Sequence, residues 1–234
     1  MLKKAAGGAI SFIDRLEDAA ALVLFLFLLL LGLYCVYDSF YVYSGASMKG
    51  TLVYKPGGEE SKNLGTLSKD CVGWIEIDDA SIDYPLMHGA NNSVYLNRDP
   101  FGNYSLSGSI FLDARNSGDL KDPYLLIYGH HMDLDKMFGA LDYFISQAFL
   151  KSHRTGRLTA VDGTVYELNI WAAGYCEASD SEIFDPTSGA DIEAFAESQG
   201  FAILDHGDGR IAALTTCKEP SSLERTIVLC EILE

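Results

Sequence analysis

The stretch Ala212-Ala-Leu-Thr-Thr-Cys217-Lys-Glu-Pro-Ser-Ser-Leu-Glu-Arg225-Thr-Ile-Val-Leu229 reads as a buried strand, a short polar turn and a second buried strand. Its apolar runs are short and rich in β-branched residues, and Pro220-Ser-Ser punctuates them. A thiol stands where the first strand ends and a guanidinium where the second begins. In an antiparallel pair those ends lie side by side, with neighbouring strands roughly 5 Å apart. One turn can therefore bring a nucleophile and a fixed positive charge to the same point. The thiolate is the reactive form of cysteine, and a nearby cation favours it. The same cation could instead stabilise an oxyanion that develops during acyl transfer. The plainer alternative is an inert buried thiol, as expected for Cys230, beside a solvated strand-edge charge.

Upstream, the pattern is again of short strands. Cys71-Val-Gly-Trp-Ile-Glu-Ile-Asp and Ser81-Ile-Asp-Tyr-Pro-Leu-Met pair across a turn at Asp78-Asp-Ala. Asn91 to Asn97 has room for one helical turn. Ser107-Gly-Ser-Ile-Phe-Leu-Asp is a third strand. Tyr124-Leu-Leu-Ile-Tyr is a fourth and ends at Gly129-His130-His131. Met137, Leu141, Phe144 and Ala148 repeat at helical spacing, predicting a helix over Lys136 to Leu150. Arg157 to Val161 and Thr164 to Cys176 form a hairpin through Asp162-Gly163. Ala190 to Gln199 is a helix inserted before the last two strands, Arg210 to Thr216 and Thr226 to Leu233. About eight short strands with few helices predict a mostly β fold, a barrel or a sandwich. His130 then projects from the rim of the sheet. His88, His153 and His206 are expected to be ordinary rim histidines.

The chain has 234 residues, with 17 Lys+Arg against 33 Asp+Glu for a net charge of −16. That balance argues against a nucleic-acid partner, which needs a basic face. Ala19 to Tyr37 carries no charge and is long enough to span a bilayer, which takes roughly 20 apolar residues. The Tyr34-Cys-Val-Tyr-Asp-Ser-Phe-Tyr that follows is a poor cleavage site and a good interfacial belt, so an uncleaved anchor is expected. Lys3, Lys4 and Arg15 precede it and place the N-terminus in the cytoplasm, with the rest of the chain outside the cell membrane. Residues 1–18 are then cytoplasmic, 19–37 the anchor, 38–69 a juxtamembrane segment with a possible helix from Glu59 to Ser68, and 70–234 the folded domain. Of five cysteines, Cys35 lies in the anchor. Any pairing among Cys71, Cys176 and Cys230 stays open. No CxxC or HxxxH pattern supports a metal site.

The order strand–Gly-His130, Thr215-Thr216-Cys217, then Arg225 opening the last strand resembles the sortases, membrane-anchored transpeptidases of Gram-positive bacteria. Val72-Gly-Trp-Ile-Glu-Ile, Ile82-Asp-Tyr-Pro-Leu, Tyr95-Leu-Asn, Ser107-Gly-Ser-Ile-Phe-Leu-Asp-Ala-Arg-Asn and Ile127-Tyr-Gly-His-His-Met are similar to class B members. So is the helix inserted between the sixth and seventh strands. The resemblance runs from about Asp70 to the C-terminus.

It implies an eight-stranded sortase-type β-barrel with a few short helices, behind an N-terminal transmembrane helix. It implies His130, Cys217 and Arg225 as catalytic residues around one groove, with Leu96, Tyr128 and Thr216 as substrate contacts. The Cys would attack the carbonyl of a Thr in an NPxTx- or LPxTx-like sorting signal of a surface protein and form a thioacyl-enzyme. The amine of lipid II or of a peptidoglycan cross-bridge, or of a pilin lysine, would displace it. His130 would move the protons and Arg225 would hold the oxyanion, with no metal or other cofactor. Acyl transfer needs such a nucleophile, shuttle and oxyanion partner. Two other readings remain: a membrane-tethered, non-catalytic scaffold, and, less favoured, a papain-type peptidase, whose Cys precedes its His. The turn Lys218–Glu224 is short for the family. Asp99-Pro-Phe101 resembles the lid motif of pilin-polymerising class C enzymes, but it follows the second strand and reads as a simple turn.

Overall fold

The computed structural model describes residues 2–58, 61–217 and 223–233, without the side chains of residues 2–11 and of Cys217. Contacts divide the chain into a unit ending at Val42 and a second, Tyr43–Glu234. The first unit lies within one helix, α1 (Leu2–Ala46). The charge-free run Ala19 to Tyr37 is exposed throughout, and the helix is long and apolar enough to cross a membrane. A helix that is apolar on every face needs apolar surroundings.

The second unit is a closed barrel. Its strands are β1 (Cys71–Ile77), β2 (Ile82–Met87), β3 (Ile110–Leu112), β4 (Tyr124–Tyr128), β7 (Thr155–Ala160), β8 (Val165–Glu177), β10 (Arg210–Cys217) and β11 (Glu224–Leu233). The hydrogen-bonded order is β11-β10-β4-β3-β2-β1-β7-β8, and β8 pairs with β11 to close the ring. Closure leaves these strands no free edge. Two further strands, β5 (His131–Met132) and β6 (Lys136–Met137), form a small hairpin, and β9 (Ala202–Ile203) adds to β8. The pairs are antiparallel except β2 with β3 and β4 with β10.

The interior is filled by Ile75, Leu86, Ile110, Leu125, Ile127, Phe138, Leu214 and Val228, among others. A second layer lies outside β4, β8, β10 and β11. It packs Leu126, Trp171, Ile227 and Leu229 against α3 (Ser181–Phe184) and α4 (Ile192–Ser198). β4 is therefore covered on both faces, which is why its sequence is apolar without alternation. The hairpin turns at Asp162-Gly163, where the Asp162 carboxylate accepts from Thr164 N at 2.8 Å. Asp191 caps α4 by accepting from Ala194 N. Ala46 and Met48 are buried in the barrel core, so the chain joins the domain well before β1.

Three sequence expectations need correction. The third strand is only Ile110–Leu112, because Ser107 to Ser109 bend to hold a loop: Ser109 donates to Arg98 O at 2.7 Å. Lys136 to Leu150 is not one helix. It holds β6, a 3-10 helix Gly139–Ile145 and α2 (Gln147–Ser152), with Ser146 extended between them. A 3-10 helix turns every three residues, and the break resets the phase, so Leu150 is buried and Ala148 is exposed. From Glu59 to Ser68 the described helix is a single 3-10 turn, Leu64–Thr66, while Glu59 and Glu60 lie outside the described residues. Asp99-Pro-Phe101 is a turn, its Asp99 carboxylate accepting from Phe101 N and Asn103 N.

Candidate active site

β4, β10 and β11 lie side by side, and three adjacent ends meet at one rim. Parallel pairing sets Tyr128 opposite Thr215. Antiparallel pairing sets Arg225 opposite Cys217 and Thr226 opposite Thr216. The two residues singled out in the opening stretch are thus neighbours in backbone register. The Cys217 side chain and the turn Lys218–Ser222 lie outside the described residues.

A cavity of about 270 Å³ opens at this rim. It is lined by Leu96, Tyr128, His130, Thr216 and Arg225, all expected from the sequence, and by Asn92, Phe111, Gly129 and Thr215, which were not. His130 Nε2 lies 2.7 Å from the carbonyl oxygen of Leu96. A carbonyl only accepts, so Nε2 is the donor in this contact. Gly129 is a close approach: a Cβ there would stand 2.5 Å from Ile110 Cδ1 and 2.7 Å from Phe138. Gly108 presses on the other side. It adopts φ +59°, and a Cβ would stand 2.6 Å from Leu96 O and 3.0 Å from His130 Cδ2. Gly108 thus brings backbone up to the imidazole where a side chain would not fit, and Gly129 does the same against the core residues Ile110 and Phe138.

Arg225 is half-buried, and its Nη1 donates to Glu224 O at 3.2 Å. Thr215 and Thr216 are buried, yet their hydroxyls have no hydrogen-bond partner among the described residues. A groove with unsatisfied polar groups at its base is suited to a polar ligand such as an extended peptide, because a buried polar group costs free energy until it is paired.

Behind the groove a single carboxylate organises the wall. Asp113 is fully buried and accepts from Asn92 at 2.8 Å, from the Tyr128 hydroxyl at 3.0 Å, and from Arg115 at 2.9 and 2.8 Å. Burial alone would push this carboxyl up, but the donors outweigh it, Arg115 first, and hold it below its usual value. Burial, with Asp113 beside it, raises the Tyr128 hydroxyl well above its ordinary range. Arg115 also reaches Asp185, at 3.3 Å, beside α3. Phe111 stacks on Tyr128 with ring centroids 5.3 Å apart. The wall is therefore tied to both β3 and the α3 segment.

The other histidines and thiols sit elsewhere. His131 Nε2 lies 2.8 Å from an Asp142 carboxylate oxygen and does not line the cavity. His153 stacks on Phe149, and His206 stacks on Trp171. His88 is half-buried, and its Nε2 has no partner among the described residues. Cys35, Cys71, Cys176 and Cys230 are free thiols. Burial pushes Cys71 up to about 11 and Cys176 up to about 12, against the opposing charge of Arg225 at the latter, and raises Cys230 further. At neutral pH these three are thiols, not nucleophiles. Among the described residues no cluster of three His, Cys, Asp or Glu could hold a metal ion.

The chain as a whole is similar to known proteins. Sortase B of Listeria monocytogenes is 32% identical over 176 residues, covering 71% of this chain and 70% of its own. The chain belongs to the sortase B family. A crystal structure of Spy0129, a Streptococcus pyogenes class B sortase involved in pilus biogenesis, matches at 34% identity and a TM-score of 0.65. It is covered over 95% of its length by 72% of this sortase. The Staphylococcus aureus sortase B–substrate complex matches at 29% identity and a TM-score of 0.64, over 73% of this chain and 83% of that one. No family model matches the chain. The general activity of this sortase is that of a cysteine transpeptidase.

Asn92, Phe111, Asp113 and Thr215 escaped the sequence reading. Thr215 was detectable, since it sits two residues before Cys217 on the same strand. Asn92 and Asp113 were not, because only the barrel brings them together.

Proposed function

We propose that this sortase cleaves a C-terminal sorting signal after Thr through a thioacyl-enzyme on Cys217 and joins the protein to a peptidoglycan amine. The observation that carries the reading is one cavity lined by both His130 and Arg225, at the rim where Arg225 stands in register with Cys217. The Cys217 thiolate attacks the Thr carbonyl, and the carbonyl electrons move onto oxygen. Arg225, charged at any working pH, holds that oxyanion. The Cys217 thiol passes its proton to His130 as it becomes the thiolate, and as the C–N bond breaks His130 gives that proton to the leaving amine. The amine of lipid II or of a cross-bridge then attacks the thioester, His130 takes its proton, and the thiolate leaves. Leu96, Tyr128 and Thr216 line the same cavity and are assigned to the signal peptide, of NPxTx or LPxTx type. The long apolar helix anchors the enzyme as a single span, residues 19–37. Lys3, Lys4 and Arg15 hold residues 1–18 in the cytoplasm, and the barrel domain from residue 70 onward works at the cell surface.

A second acceptor, a pilin lysine, is favoured by one observation, the 34% identity to a class B sortase involved in pilus biogenesis. The full chain in detergent, offered both peptide types with wall-derived amines and with a lysine-bearing pilin peptide, separates the two. Ligation to the wall amine supports the first reading. Ligation to the lysine alone replaces it with the second, and no cleavage of either peptide type defeats both.

A further inference from the structure

The two residues assigned to proton transfer and oxyanion binding come from different parts of the chain. His130 follows β4, whereas Arg225 stands at the start of β11. Both must keep their places relative to one substrate carbonyl. Each has a neighbour in sequence whose side chain turns away from the groove, and those two neighbours meet at one carboxylate. His131 Nε2 lies 2.8 Å from Asp142 Oδ2. The Thr226 hydroxyl donates to Asp142 Oδ1 at 2.7 Å.

Asp142 sits on the 3-10 helix Gly139–Ile145, whose Ala140, Leu141 and Phe144 are fully buried in the barrel core. The helix packs on β8, β10 and β11. The carboxylate is therefore held by a rigid element that belongs to neither arm. A backbone bond adds to the hold on the histidine arm, since Phe138 N donates to His130 O at 3.0 Å. Thr226 is fully buried, so its hydroxyl has no water to fall back on.

The His131 arm of the bridge is not explained by stability of the fold. The Asp142 and His131 side chains keep 35% and 20% of their surface exposed, and partly exposed ion pairs contribute little to folding. What the bridge fixes is geometry. Both oxygens of one group are used, one on each arm, so the His130 ring and the Arg225 fork are referred to a common point.

We propose that Asp142 is a positioning residue for transpeptidation, holding His130 and Arg225 in mutual register through His131 and Thr226. The inference rests on the assignment of His130 and Arg225 to the reaction. It predicts which chemical replacements work. An Asn at this position can still accept from His131 Nε2 through its amide oxygen and donate to Thr226 Oγ1 through its amide nitrogen. A Leu can do neither.

The test uses the full chain in detergent with a sorting peptide and an amine acceptor. Asp142→Leu should lower kcat by roughly 10- to 100-fold, the scale of a small misplacement of reacting groups, with KM nearly unchanged. Asp142→Asn should recover most of the turnover. Thr226→Val, nearly isosteric, and His131→Phe each cut one arm. Each should lower kcat by less than Asp142→Leu, and neither should add to it in a double variant. These two keep the test decisive if Asp142→Leu fails to fold. Wild-type kcat in Asp142→Leu, or in both single-arm variants, overturns the proposal. So does an Asp142→Asn enzyme as slow as Asp142→Leu, which would make the charge and not the bridge the requirement. His130→Ala and Arg225→Ala run beside them. If both are inactive while Asp142→Leu is fully active, only this inference falls; if either is active, the assignment beneath it falls first.

Discussion

Two cavities open at opposite ends of the parallel strands β4 and β10. One lies where the strands begin, beside Tyr124 and Ile211, and measures about 330 Å³. The other lies where they end, beside Tyr128 and Thr215, and measures about 270 Å³. Volume alone would favour the first. Its polar groups, however, are spent on holding the chain. Asp191 caps α4. Glu231, from β11, accepts from Gly207 N, Gly209 N and Asn169 and so pins the loop beneath the cavity. His206 is stacked on Trp171 and stands 3.4 Å from Glu193. At the other end the polar groups are held but not used up. His130 Nδ1 has no hydrogen-bond partner among the described residues, and two threonine hydroxyls are buried without partners among them. The difference teaches that uncommitted polar chemistry, not size, marks the reactive end of this barrel.

The sharpest way to break that comparison is to exchange thiols. Cys217→Ala should abolish cleavage and ligation, whereas Cys71→Ala, Cys176→Ala and Cys230→Ala should keep both, because burial holds those three as thiols. A peptide-cleavage assay on the four variants checks it, and residual activity in Cys217→Ala would move the chemistry away from the groove rim. Next in size is the histidine. General acid–base groups typically contribute 10²–10⁴-fold, so His130→Ala should fall on that order. His131→Ala should lose less, since it touches the reaction only through Asp142. The reverse order, read from the same rates, would exchange their roles.

Arg225→Lys keeps the charge and removes the planar fork. Loss of an oxyanion donor costs roughly 10²–10³ in turnover, and the defect should fall on kcat at least as much as on KM. Near-normal kinetics would return Arg225 to a solvated strand-edge charge. The smallest effect is expected at the other cavity. Glu193→Gln is a surface change beside His206, and steady-state kinetics should not register it. A tenfold loss there would erase the distinction between the two ends.

The sequence made one half of this contrast legible and hid the other. Short β-branched runs and the Asp162-Gly163 turn located the barrel strands, and the stretch from Ala212 to Leu229 set Arg225 in register with Cys217. Those are local signals. The parallel pairing of β4 with β10 joins segments far apart in the chain, and no periodicity announces it. Asn92, Asp113 and Tyr128 likewise meet only through the pairing of β3 with β2 and β4. Asp142 was hidden for a different reason: in a stretch read as one helix it fell on the polar face, where a carboxylate needs no explanation. In the structure it sits on a 3-10 helix and reaches His131 and Thr226. Ala46 and Met48 carry no pattern of their own, yet both are in the core.

The most direct test of the central claim is to trap the intermediate. The full chain is mixed with a sorting peptide without acceptor amine, quenched in acid, digested and read by mass. The account predicts the peptide acyl group, ending at its Thr, on the fragment that contains Cys217, and no adduct in Cys217→Ala. An acyl group on any other thiol, or cleavage that proceeds with no adduct on Cys217, would contradict it.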